Sequence, residues 1–177
     1  MNFAISRILV PVDFSPHSDL AFRYAMALAS RLEASVELLH VVEDPIATGA
    51  WNSEIPIPYL PEIQDNLIEA GRRRLERYRA CADGPRMTTT VRVGLPSDAI
   101  LEHGRVHGVD LIVMGTHGRS SLAQVFMGSV AERVVRHAAC PVLTLHGAAA
   151  RNTVESTFAA EHAALASALG HLGTSRE

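Results

Sequence analysis

Residues 7–42 read RILVPVDFSPHSDLAFRYAMALASRLEASVELLHVV, and this stretch decides the fold. Arg7 to Phe14 is an apolar run rich in β-branched residues, the pattern of a strand buried on both faces. Ser15 then offers a helix cap, with Pro16 at the first helical position. Leu20, Ala21, Tyr24, Ala25, Leu28 and Leu32 follow at helical spacing. Ser35 to Val42 is a second apolar strand. A strand, a helix and a strand of this kind form a parallel crossover unit, with helices covering the sheet.

The pattern continues to residue 146. Glu43 to Pro61 holds four prolines and reads as a long loop. Glu62 to Ala82 is a helix with Ile63, Leu67, Ala70, Leu75 and Tyr78 expected inward. Its RRRLERYR run reads as a solvated face. Thr88 to Gly94 is a third strand. Pro96 opens a helix over Ser97 to His107. Asp110 to Gly115 is a fourth strand, Ser129 to Ala138 a fourth helix and Pro141 to His146 a fifth strand. The fold class is therefore α/β, a single open doubly wound sheet of five parallel strands with helices on both faces. We assign residues 1–147 to this domain. Residues 148–177 form a C-terminal helical extension, whose apolar stripe is Phe158, Leu165, Leu169 and Leu172. Ligands of such sheets bind beyond the carboxyl ends of the strands.

Composition narrows the chemistry. All 16 basic residues are arginine, so a lysine-dependent phosphate loop or Schiff base is excluded. A net charge of −3 gives no reason to expect a nucleic-acid partner. No apolar run reaches the ~20 residues of a membrane span, and the N-terminus lacks the pattern of a signal peptide. Cys81 and Cys140 lie far apart and in no metal-ligand spacing. A reduced, cytoplasmic protein is expected. His103 and His107 stand at i,i+4, but position 104 is Gly rather than the Glu of a zinc-protease helix. We read them as surface histidines and expect no metal ligands. No nucleophile elbow, catalytic triad or dinucleotide fingerprint is present, so no catalytic residue is assigned.

The segment GTHGRSSLAQVFMGSV, Gly115 to Val130, carries the candidate site. Glycines between a strand and a helix let backbone approach a ligand, and helix amides at the far end favour an anion. Ser129 can cap the helix and donate its hydroxyl to a phosphate. Arg119 adds a positive charge, and His117 faces either the phosphates or solvent. Asp13, at the end of the first strand, can cap the following helix, contact a ligand, or do both.

Here the sequence resembles the universal stress protein family. Its nucleotide-binding members carry G-x2-G-x9-G-[ST] after the fourth strand, matched by Gly115, Gly118, Gly128 and Ser129. They also open on a strand of the type ILVPVDFS. The resemblance covers about residues 5–146. It implies the strand order 3-2-1-4-5, an adenine-nucleotide site for ATP or AMP and a homodimer, commonly through the fifth strand; Mg2+ with the nucleotide is a further expectation. Carried over, Pro11 and Val12 would wall the base pocket and Asp13 would contact the ribose or adenine side. Val41 would offer backbone hydrogen bonds to adenine, and Gly115 would approach the ribose and phosphates. Gly118, Arg119, Gly128, Ser129 and Val130 would hold phosphates. The implied role is a stress-response regulator or sensor, with a protein partner the sequence does not name. Two other readings are a slow Mg2+-dependent ATPase or phosphotransferase on the same site, and an interaction module with a vestigial site.

Overall fold

The opening apolar run forms strand β1, Arg7–Pro11, and the capping signal behind it starts helix α1, Pro16–Leu32. Ser15 is the cap: its Oγ accepts the Ser18 N–H at 3.3 Å. Pro16 sits in the first turn, where a missing N–H costs no helical bond. There follow β2 (Ser35–Glu43), α2 (Leu60–Ala80), β3 (Met87–Gly94), α3 (Pro96–Val106), β4 (Leu111–Gly115), α4 (Ser129–His137) and β5 (Val142–Leu145). These elements are seen in a computed structural model, which describes residues 4–44, 60–80, 86–116 and 127–146. Cys81, His117, Gly118, Arg119, Phe126 and the expected extension over 148–177 lie outside the described residues.

All strand pairs are parallel, and the order is β3-β2-β1-β4-β5. The chain winds outward from β1 through β2 to β3, then returns to the other side of β1 for β4 and β5. The sheet order therefore reverses between β1 and β4, which is where a ligand crevice is expected.

The continuous apolar runs are explained by burial on both faces. Ile8, Val10 and Val12 join Val36, Leu38, Leu111 and Val113 in the core beneath α1 and α2. Leu9, Leu39, Ile112 and Met114 face the other way and pack with Ile100 of α3 and Val134 of α4. Alternate residues of one strand thus feed two cores.

Three expectations change. β1 ends at Pro11 rather than Phe14, because the backbone turns sharply: Phe14 has φ 64°. In α2, Leu75 is buried but Ile63 and Leu67 are 36% and 47% exposed. The helix is seated by its later turns, where a Cβ on Gly71 would stand 2.8 Å from His40 Cδ2 and Leu75 enters the core. Finally, His103 is not a surface histidine but is fully buried against the sheet.

Gly104 lets this last packing be tested. A Cβ there would meet only Ile112 Cδ1 at 3.7 Å and Leu9 Cδ2 at 4.0 Å, ordinary apolar contacts. Gly in a helix interior costs roughly 0.5–1 kcal/mol relative to Ala. Gly104→Ala is therefore expected to stabilise the chain by up to about 1 kcal/mol. Thermal denaturation checks this, and a lowered midpoint would show that α3 lies closer to the sheet than described.

Candidate functional site

At the carboxyl end of β1 the chain must reverse into α1 within four residues. Asp13 makes the turn possible: its Oδ1 accepts the Ser15 N–H at 3.0 Å, across the left-handed Phe14. A left-handed non-glycine residue costs roughly 1–2 kcal/mol. Packing around the Phe14 ring offsets that cost. His40 lies 4.4 Å away, centroid to centroid, and the Arg74 guanidinium stands 4.0 Å over the ring. Asp13 is thus not the helix cap, which is Ser15; it braces the turn while staying part-exposed.

The second wall comes from the carboxyl end of β4. Gly115 is required there by close approach. A Cβ would lie 2.9 Å from His17 Cβ and 3.1 Å from both the carbonyl carbon and oxygen of His17. Beside it, Thr116 is buried and tied to β5. Its N–H donates to the Leu145 carbonyl at 3.0 Å, and its Oγ1 lies 2.9 Å from His146 Nδ1. The Gly128 N–H donates to the Thr116 carbonyl at 2.7 Å. That bond staples the start of α4 to the end of β4.

α4 itself is capped by Gly128, at φ −62° and ψ 149°, with no side-chain hydrogen bond at the cap. Ser129 is the first helical residue and not the cap, contrary to one of its two expected roles. With no side-chain cap among the described residues, the first amides of α4 are open to an anion, which the helix dipole favours there.

The third wall is β2. Its ladder with β1 ends at the Pro11–Leu39 pair, and the Val12 N–H makes the last cross-bond, to Leu39 O at 2.8 Å. The ladder with β3 continues on the far side to Glu43. Strand alternation puts the N–H and C=O of Val41 on the same edge as those of Leu39, where β1 has already turned away. His40 points to the opposite face and closes the turn: its Nδ1 lies 2.8 Å from Val12 O. A carbonyl only accepts, so Nδ1 carries the proton.

These walls enclose a cleft of about 310 Å³. That is near the lower end of the ~300–1,000 Å³ usual for small-molecule sites. Pro11, Val12, Asp13 and Val41 line it from one side, and Gly115, Gly128, Ser129 and Val130 from the other. Gly118 and Arg119 lie outside the described residues. Sequence reasoning missed Thr116, His40, Glu43, Pro96 and Ile100, which also line the cleft. Only Thr116 left a local signal, as a polar residue directly after the strand-end glycine. Cys140, expected as a small core residue, is part-buried, and burial followed by the nearby Asp110 charge pushes its thiol pKa up.

The chain matches the model of the Universal stress protein family over residues 4–146. It belongs to that family. It is 34% identical over 146 residues to universal stress protein MJ0531 of Methanocaldococcus jannaschii, spanning 78% of this chain and 81% of that protein. The universal stress protein UspA from Lactobacillus plantarum has a similar structure, with TM-score 0.69 and 32% identity over 82% of this chain and 100% of the other. A universal stress protein solved in complex with cAMP is also similar, at TM-score 0.55 and 26% identity over 81% and 98% of the two chains. This universal stress protein shares the family's parallel α/β sheet. No helix among its described residues is long and apolar enough to cross a membrane.

Proposed function

We propose that this universal stress protein binds an adenine nucleotide, ATP or AMP, and works as a dimeric stress-response regulator or sensor. The observation that carries the reading is the α4 N-terminus. Among the described residues it is capped only by Gly128; it is stapled to Thr116 and opens on a cleft that also holds Asp13 and the main-chain edge of Val41. The match to a protein solved with cAMP supports an adenine nucleotide as the ligand class.

In this reading the first amides of α4 and the Ser129 hydroxyl hold phosphate, joined by Gly118 and Arg119. Asp13 accepts from ribose hydroxyls. Val41 offers both an N–H and a C=O to the adenine edge, and Pro11 and Val12 pack on the base. Mg2+ would neutralise phosphate charge when ATP is the ligand. The chain lacks lysine, so the phosphates are held mainly by main-chain groups and arginine, an arrangement suited to binding rather than turnover.

Equilibrium dialysis with labelled ATP and Mg2+, followed by mass spectrometry of ligand released on denaturation, tests the proposal. Saturable uptake of one nucleotide per chain is expected. No uptake at millimolar nucleotide would end it.

The dimer is proposed to form through β5, which is an edge strand of the sheet. Pro141 and Leu145 direct their carbonyls to β4, accepting from Ile112 and Thr116. Alternation therefore turns the Thr144 N–H outward, to where a second copy would pair. Proline is tolerated on an outer edge but cannot donate to a partner. Thr144→Pro is expected to give a folded monomer by sedimentation equilibrium. A dimer of unchanged strength would place the interface elsewhere.

A further inference from the structure

We propose that Glu37, His103 and His107 form a binding site for a divalent transition metal of the zinc class, on the far side of α3 from solvent. His103 is on α3, His107 is the residue that ends it, and Glu37 reaches up from β2. One ligand atom from each of the three lies within 4.8 Å of the others.

The burial of His103 carries the argument. Its side chain is 1% exposed, and its only polar partner among the described residues is the Glu37 carboxylate. Nε2 lies 2.9 Å from Glu37 Oε1, while Nδ1 has no hydrogen-bond partner among the described residues. The two groups are already within interaction distance, as two ligands of one ion would be. A buried polar group left unpaired is costly, so its surroundings are expected to supply a partner. The same Glu37 oxygen accepts the Thr90 hydroxyl at 3.1 Å, which holds the carboxylate in place as the outer partner of a metal ligand does.

The remaining ligand is poised. The His107 ring sits 3.9 Å from that of His103, centroid to centroid, at 61°. Arg7 donates to the His107 main-chain carbonyl and fixes the end of the helix. Two imidazoles and a carboxylate are a zinc donor set, with metal–ligand distances of about 2.0–2.2 Å, which places donor atoms about 3.4 Å apart in a tetrahedron. The three donor atoms, within 4.8 Å of one another, are already close to that spacing. His107 is part-exposed, so the cation enters from its side and a water completes the coordination.

The consequence reaches the cleft. A bound metal would cross-link α3 to β2 one helical turn from Ile100, a residue of the cleft wall. The site uses none of the residues proposed to touch nucleotide, so it stands or falls separately.

Zinc titration against a competing chelator, on the full chain freed of metal and nucleotide, is the test. One zinc per chain is expected. His107→Ala and Glu37→Gln should each weaken it at least about tenfold, the scale of effect seen for losses around a metal site. Glu37→Gln retains an oxygen for Thr90, and circular dichroism shows whether either variant is folded. Cobalt(II) should give the visible absorption of a tetrahedral nitrogen and oxygen site, lost in both variants. Absence of stoichiometric zinc, or unchanged affinity in folded His107→Ala, would overturn the proposal, the second outcome assigning the zinc to other histidines among the nine in the chain.

Discussion

The Gly115→Ala variant is expected to melt well below the parent chain. The added methyl carbon would stand 2.9 Å from His17 Cβ and 3.1 Å from the His17 carbonyl carbon and oxygen. Two of these three atoms are backbone, in the first turn of α1, and cannot rotate aside. That helix is anchored by the Ser15 cap and by Ala21, Ala25 and Ala29, all fully buried. Either α1 lifts from the sheet or β4 moves. Overpacking of this kind costs about 1–3 kcal/mol. In a chain of this size each kcal/mol lowers the midpoint by roughly 2–4 °C. A drop of about 2–12 °C is therefore expected. Thermal melts followed by circular dichroism measure it, with Gly104→Ala as a control of opposite sign. An unchanged midpoint would show that α1 is not packed against Gly115 as described.

Gly115 also shows how far the sequence could be read. Its glycine motif suggested a loop that brings backbone to a ligand, whereas the closest neighbour of the missing Cβ is a helix. A contact between residues 17 and 115 leaves no trace in local patterning. The strands were legible because burial on both faces requires unbroken apolar runs, as in Leu111 to Met114. The α1 start was legible because a serine cap and a first-turn proline act within four residues. What failed depended on distant packing. His103 looked like a surface histidine because what buries it, the sheet beneath α3 with Glu37 of β2, is on other elements. Ile63 and Leu67 continue the apolar stripe of α2, yet the helix meets the sheet farther along. Thr116 gains its role from Leu145 and His146, visible only once β4 and β5 are paired.

The same logic separates binding from folding at the proposed phosphate site. Ser129→Glu is expected to leave stability intact while nucleotide affinity collapses. Ser129 is exposed, is the first residue of α4, and lines the cleft. A carboxylate in the first turn interacts favourably with the helix dipole, by about 0.3–1 kcal/mol, so the fold gains slightly. Toward a phosphate on the same amides the sign reverses. Two like charges about 5 Å apart at an effective dielectric constant near 20 repel by roughly 3 kcal/mol. That is more than about a hundredfold in affinity, before the remaining phosphate charges are counted. The neutral Ser129→Gln variant has nearly the same bulk, so the difference between the two isolates charge from size. Raising the salt should recover part of the loss in Ser129→Glu and none of that in Ser129→Gln, because only the first is screened. If Ser129→Glu bound ATP as tightly as Ser129→Gln, no anion would sit at the start of α4, and the nucleotide reading would lose the observation on which it rests.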